Sequence, residues 1–311
     1  MKTVFMFSGQ GAQYAGMGKE LYDNYKEAKE IFDTADEVLG YSIKDICFND
    51  EEKLKNTEFA QPAILTMSIA AMSVLKEQGV RAALTAGLSL GEYSALVASG
   101  ALDFKDAVGL VQKRGKFMAE AVPAGQGAMY AIIGLDREVV EEVCKSVMDA
   151  GDGYVIAANY NCPGQIAIAG EAAAADKAAE LLKEKGAKMA VKLKVSGPFH
   201  TELLKSASEK LEAELKNITF NDMKIPVYTN LNAQIIPSKD DIASILVKQV
   251  ISPVRWEDII RNMADQGADT FIELGPGKAL TGFVKRTLKG VKIMNIEDVS
   301  TLNKAIDKLH E

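Results

Sequence analysis

Ala82-Ala83-Leu84-Thr85-Ala86-Gly87-Leu88-Ser89-Leu90-Gly91-Glu92-Tyr93 changes its pattern at the centre. A short strand reads from Ala82 to Ala86, a helix begins near Gly91 or Glu92, and Ser89 stands on the turn between them. The glycines relieve crowding at a strained turn, and a helix N-terminus offers free N–H groups and positive potential to an oxyanion. The same residues also fit an ordinary strand-to-helix turn with a solvated serine. A serine nucleophile needs a general base, which at neutral pH is nearly always an imidazole. The chain has two histidines, and His310 lies one residue from the end, which leaves His200 as the base if Ser89 is catalytic. His200 follows Ser196-Gly197-Pro198-Phe199, where the Gly-Pro step forces a bend, and opens a helix. A lone histidine is more often structural than catalytic. No acidic residue announces itself as its orienter, and a backbone carbonyl can hold Nδ1–H instead.

Outward from this turn, strands alternate with longer helical patterns. Thr3 to Phe7 reads as a strand, followed by helices Lys19 to Leu39 and Phe59 to Gln78. After the serine turn come helices Glu92 to Ser99 and Asp103 to Ala121, the second with Asp103 as N-cap. Pro123-Ala124-Gly125-Gln126-Gly127 breaks the pattern. The order then becomes strand (Met129 to Leu135), helix (Arg137 to Asp149), strands (Tyr154 to Tyr160, Gln165 to Ala169), helix (Ala172 to Lys185) and strand (Lys188 to Val195). This is the βαββαβ order of a ferredoxin-like module. Beyond Gly197-Pro198 a helix spans Thr201 to Leu215, with strands near Pro226 to Thr229, Thr270 to Leu274 and Lys292 to Ile296. The fold class is therefore α/β, with a discontinuous large domain over 1–123 and 198–311 and the ferredoxin-like subdomain over 124–197. A Ser89–His200 pair would span the insertion.

At 311 residues, 48% hydrophobic and 25% charged, the chain is long enough for a large and a small domain. The net charge of −7 argues against general nucleic-acid binding. The three cysteines, Cys47, Cys144 and Cys162, are far apart and suggest neither a disulfide framework nor a zinc site. The apolar run after Met1 ends at Ser8, too soon for a signal peptide, and Ala63 to Leu75 is interrupted by Thr66, Ser68 and Ser73, which argues against a membrane span. A cytoplasmic protein is expected.

Other segments carry two readings each. Ser8-Gly9-Gln10-Gly11-Ala12-Gln13 follows the first strand, so both glycine turns sit at carboxyl ends of strands, where open α/β sheets bind ligands. Its N–H groups could share an oxyanion with the serine turn, or the segment is a structural turn; neither P-loop nor dinucleotide spacing is present. Arg114, mid-helix in Val111-Gln112-Lys113-Arg114-Gly115-Lys116, reads as a solvated helix face or as an inward fork that grips a carboxylate. Adjacent Gly115 admits a close backbone or ligand. Lys188, Lys192 and Lys194 share one strand face, either solvated or docking an acidic protein. Ile272-Glu273-Leu274-Gly275-Pro276-Gly277 reads as a strand ending in a turn.

Taken together, Phe7 to Gln13, Gln61-Pro62-Ala63, Gly87 to Tyr93, Gln112-Lys113-Arg114-Gly115, Asn161-Cys162-Pro163-Gly164-Gln165, Pro198-Phe199-His200 and Glu273 to Gly277 resemble the malonyl-CoA:acyl carrier protein transacylases of bacterial fatty-acid synthesis, and more widely the acyltransferase domains of polyketide synthases. The resemblance runs end to end. It implies a hydrolase-like α/β core bearing the nucleophile, with the ferredoxin-like subdomain walling the cleft. It implies Ser89 as nucleophile, His200 as base, and the main-chain carbonyl of Gln249 as its orienter. The backbone N–H groups of Gln10 and Leu90 would form the oxyanion hole, and Arg114 would bind the free malonyl carboxylate. Gln61, Asn161 and Phe199 would contact substrate, Phe199 in the pattern that disfavours methylmalonyl. Leu88 departs from the histidine found in most relatives. The implied reaction is ping-pong transfer of malonyl from malonyl-CoA to the phosphopantetheine thiol of acyl carrier protein. CoA would be a substrate, with no metal or cofactor, no nucleic-acid or membrane partner, and a free-standing monomeric enzyme. Two other classes share the serine turn: a hydrolase, which normally places an acid and a late histidine after it, and a non-catalytic acyl-group sensor.

Overall fold

The computed structural model describes residues 1–310. Among them run nine strands: β1 (Thr3–Phe7), β2 (Leu84–Gly87), β3 (Gly127–Ile133), β4 (Val155–Cys162), β5 (Gln165–Glu171), β6 (Met189–Lys192), β7 (Val227–Tyr228), β8 (Thr270–Leu274) and β9 (Lys292–Ile296). One sheet is wholly parallel, in the order β7-β2-β1-β8-β9. Its central strand β1 is buried at every position, as a strand covered by helices on both faces requires. Phe5 and Phe7 point to one core cluster, with Ile272 and Leu274; Val4 and Met6 point to the other, with Ala86, Trp256 and Phe271. The strand period of two thus feeds two cores at once.

The second sheet is antiparallel, in the order β4-β5-β3-β6, which is 2-3-1-4 counted within the insertion. Helices Arg137–Asp149 and Ala172–Glu184 seal one face, where Ile132 and Ile168 pack with Val140, Ala175 and Ala178. On the other face Met129, Ala167 and Ala169 join the main core cluster. The small sheet is therefore a wall against the large one.

Several boundaries depart from the sequence reading. The pattern Lys19 to Leu39 is two helices, Lys19–Asn24 and Lys26–Leu39, because Tyr25 is extended at φ −130°, ψ 124°. Two short helices, Ile43–Asn49 and Glu51–Lys55, have no counterpart in that reading. Both are capped by local side chains, Ser42 accepting from Asp45 N and Asp50 from Lys53 N, and one or two turns are too short for a periodic signal. The helix after His200 starts as a 3₁₀ turn, Glu202–Leu204, before Lys205–Leu215. Strand β6 runs only from Met189 to Lys192, so Lys188 and Lys194 both lie outside it and only Lys192 of the three is a strand residue. Helix Thr57–Glu77 is long and apolar enough to cross a membrane, contrary to the interruption expected from its polar residues. It is instead a core helix, with 83% of its most apolar window buried and Thr66 and Ser68 inside as well.

Candidate active site

Strands β1 and β2 run in register, with Phe7 opposite Gly87 at their carboxyl ends. The turns after them therefore leave the sheet side by side, tied where Leu88 N donates to Phe7 O at 3.1 Å. At Ser89 the chain takes φ 53°, a left-handed conformation that costs a non-glycine residue roughly 1–3 kcal/mol. The flanking glycines are steric necessities. A Cβ on Gly87 would lie 1.9 Å from the Gly91 carbonyl carbon, and one on Gly91 would lie 2.1 Å from Phe7 O. Asn230, at the carboxyl end of β7, braces the turn: it accepts from Ser89 N at 2.5 Å and donates through Nδ2 to Gly87 O at 2.7 Å.

A cavity of about 250 Å³ opens at these strand ends. Gln10, Leu90, Ser89 and His200 border it from the two turns and the segment before the Glu202 turn. Gln61, Arg114, Asn161 and Phe199 border it from the helices, the small sheet and the bend after Pro198. Of the residues the resemblance singled out, only Gln249 stands behind the wall rather than on it. Leu88 also reaches the cavity and packs toward the core on the Trp256 side of the sheet.

Ser89 Oγ lies 2.7 Å from His200 Nε2, and His200 Nδ1 lies 3.0 Å from the carbonyl oxygen of Gln249. Burial depresses the imidazole pKa to about 4, helped by the nearby Arg114 cation and opposed by hydrogen bonds to backbone carbonyls. The ring is therefore neutral at pH 7. Its Nδ1–H donates to Gln249 O, which leaves the Nε2 lone pair for the serine proton. His200 itself holds φ 60°, so both members of the pair sit on strained backbone. The N–H groups of Gln10 and Leu90 donate to no protein oxygen among the described residues, and Leu90 stands immediately before helix Gly91–Ser99.

Arg114 is 1% exposed, so the solvated-face reading of this residue fails. Its Nη1 donates to Gln61 Oε1 at 2.8 Å, and its Nη2 donates to Gln249 Oε1 at 3.0 Å and to Ser89 Oγ at 3.2 Å. The guanidinium lies over the Tyr93 ring at 5.3 Å and makes no ion pair among the described residues. Burial lowers its pKa, while Tyr93 and Glu92 oppose that shift. Gly115 admits the backbone of Thr57, whose oxygen would lie 2.4 Å from a Cβ there. Of the two roles open to this glycine, backbone approach is the one observed.

Four residues of this neighbourhood escaped the sequence reading. Asn230 had a usable signal, a polar residue at the end of a strand beside β2. Glu92 is fully buried; its Oε2 accepts from Asn230 N at 3.0 Å and Gln249 Nε2 at 2.9 Å, and burial pushes its carboxyl pKa up. Glu273 is the penultimate residue of β8 and borders the cavity. It accepts from Leu280 N at 3.0 Å and Thr281 N at 2.7 Å, and burial raises its pKa to about 7. Thr57 is the fourth, and no spacing rule marks it.

Comparison with known proteins is consistent across sequence and structure. The model of the acyl transferase domain matches residues 4–309. A malonyl CoA-acyl carrier protein transacylase of Bacillus subtilis (strain 168) is 50% identical over 311 residues, covering 100% of this chain and 98% of the relative. The solved malonyl CoA-acyl carrier protein transacylase of Clostridium perfringens superposes with a TM-score of 0.96 at 48% identity, over 100% of this chain and 98% of that one. A malonyl-transacylase solved in complex with a type II PKS acyl-carrier protein gives a TM-score of 0.95 at 41% identity, over 99% of this chain and 100% of that one. With a fold, a cleft and end-to-end identity all in agreement, the chain belongs to the acyl transferase domain family, among its malonyl CoA-acyl carrier protein transacylases.

Proposed function

We propose that this chain moves a malonyl group from malonyl-CoA to the phosphopantetheine thiol of acyl carrier protein through a malonyl-serine intermediate. The observation that carries the reading is a single hydroxyl, Ser89 Oγ, held between a neutral imidazole at 2.7 Å and a buried guanidinium at 3.2 Å. A base activates the serine, and a cation placed beside it selects an acyl group that ends in a carboxylate.

In the first half-reaction Ser89 Oγ attacks the thioester carbon while its proton passes to His200 Nε2. The oxyanion is met by the N–H groups of Gln10 and Leu90, the C–S bond breaks, and the CoA sulfur leaves with the proton from His200. In the second half, the carrier thiol gives its proton to His200 and attacks the ester, and Ser89 departs reprotonated. Proton transfer contributes about 10²–10⁴-fold and an oxyanion donor about 10²–10³-fold. CoA is a substrate, and neither half calls for a metal or redox cofactor. Gln61 steers the Arg114 fork, and Asn161 and Phe199 border the acyl path. Every proposed residue comes from one chain; we take the enzyme to act as a monomer and place it in the cytoplasm. Intact mass after mixing with malonyl-CoA, acetyl-CoA and methylmalonyl-CoA separately tests the reading: a stable malonyl adduct that thiols discharge faster than water is expected, and hydrolysis outpacing thiol transfer would make the chain a hydrolase.

The pH dependence carries its own sign. Because the native imidazole titrates near 4 and an unfolded one near 6.5, the unfolded chain binds more protons between those values. The stability contributed by His200 is therefore complete above about 6.5 and is lost as pH falls toward about 4. Malonyl loading, measured as kcat/KM against pH, is expected to keep its imidazole-dependent limb well below pH 6.5. A limb centred on the ordinary histidine value would mean that the base is hydrated in the working enzyme.

Docking of an acidic carrier is expected to involve the exposed lysines in and flanking β6. Lys192 is already paired with Asp176 at 2.8 Å, so Lys188 and Lys194 have the freer charges. Reversing Lys188 and Lys194 should raise the apparent KM for acyl carrier protein several-fold and spare loading from malonyl-CoA, and added salt should mimic the effect. Unchanged KM would leave these lysines as a solvated face.

A further inference from the structure

We infer that Thr57 is a positioning residue: its buried hydroxyl latches the oxyanion turn to the arm that carries the histidine. Gln10 Nε2 donates to Thr57 Oγ1 at 3.1 Å, and Thr57 Oγ1 lies 2.8 Å from Ser196 Oγ. Thr57 is 1% exposed and opens helix Thr57–Glu77, whose N-cap is Asn56. Three segments distant in the chain thus meet at one oxygen. Gln10 belongs to the turn after β1, Ser196 lies on the connection that leaves the small sheet, and His200 is four residues further on. A fourth part is joined sterically, since the Thr57 backbone fills the space beside Gly115, next to Arg114.

The Thr57 hydroxyl has two partners. Its oxygen accepts from the Gln10 amide, and it shares a second hydrogen bond with Ser196 Oγ in which either hydroxyl can donate. Gln10 borders the cavity and its backbone N–H has no protein acceptor among the described residues, while its side chain is tied to Thr57, so the tie restrains where that N–H can point. Oxyanion donors act only when held at about 2.7–3.1 Å from the developing charge, and a small rotation of the turn weakens them in the transition state more than in the ground state. The latch also spans the joint between the two sheets. The inference rests on the reading of Gln10 N–H as an oxyanion donor.

The test uses the full-length enzyme, with active sites counted by the malonyl burst. Thr57→Val removes the hydroxyl, leaves two polar partners unmet and keeps the branched shape. It should lower kcat for malonyl loading about tenfold with KM for malonyl-CoA within about twofold, as expected of an interaction that acts mainly in the transition state. Thr57→Ser should restore the parent kcat. Ser196 is exposed, so Ser196→Ala folds whatever Thr57→Val does, and it should lower kcat by a smaller factor. Gln10→Ala keeps the N–H but frees the turn; combined with Thr57→Val it should be no worse than either alone, as members of one hydrogen-bonded chain behave. A burst-normalised kcat at the parent value in Thr57→Val or in Ser196→Ala, failure of Thr57→Ser to rescue, or additive losses in the double variant would overturn the latch. Parent enzyme that forms no malonyl adduct would instead defeat the functional reading on which the latch depends.

Discussion

Ser89→Ala is expected to abolish covalent malonyl loading, a fall of at least about 10⁴-fold, because the other hydroxyl bordering the cavity, Ser8, is 1% exposed and donates to Glu273 and Pro276 rather than meeting an imidazole. Cys162 is buried at the last position of β4, where Arg286 Nη1 lies 3.8 Å from its sulfur, and the pKa of its thiol is pushed up by burial. Cys47 and Cys144 are buried elsewhere. His200→Ala should suppress loading as well but leave residual turnover from the oxyanion donors and the bound substrate. Intact mass and stopped-flow release of CoA check both variants. Loading of Ser89→Ala at the parental rate would remove this serine from the reaction, and the strain at its φ of 53° would then need another explanation.

Arg114→Ala should invert the acyl preference. In the proposed complex the guanidinium pairs with the malonyl carboxylate inside the cavity, and removing one partner of such a pair costs roughly 3–5 kcal/mol, on the order of 10²–10⁴ in kcat/KM. Acetyl-CoA has no carboxylate to lose, so its weak transfer should persist or improve once the buried cation is gone. Arg114→Lys should rescue only in part, since an ammonium cannot donate to Gln61, Gln249 and a carboxylate from one plane. The ratio of malonyl to acetyl kcat/KM in parent and variant decides the matter. An unchanged ratio would make Arg114 a structural residue that happens to lie 3.2 Å from the serine.

Arg114 also marks the limit of the sequence reading. Its position is three residues after Val111 and four before Met118, both buried in the same helix. That spacing places it on the inward face, so a signal for burial existed. Charge pattern pointed the other way, because Lys113 and Lys116 on either side are polar and a flanked arginine reads as part of a solvated stripe. Glu92 hid for the same reason, as a charged residue in the first turn of a helix is ordinarily explained by the helix dipole. Here it is enclosed, and its hydrogen bonds hold Gln249 and Asn230.

By itself the sequence determined the strand-turn-helix around Ser89, the βαββαβ order of the insertion and the choice of His200 as partner. These are local matters: periodicity, glycine at a strained turn, and the scarcity of imidazole in the chain. Tertiary structure alone decided which polar side chains became buried and which atoms they met. Gln249 orients His200 through its backbone carbonyl while its amide joins Arg114 to Glu92, and Asn230 and Thr57 fasten turns from elsewhere in the chain. Three of these five bonds join residues more than a hundred positions apart, and the other two span 47 and 49 positions. They are set by parallel strand register and by helix packing, which no window of sequence contains.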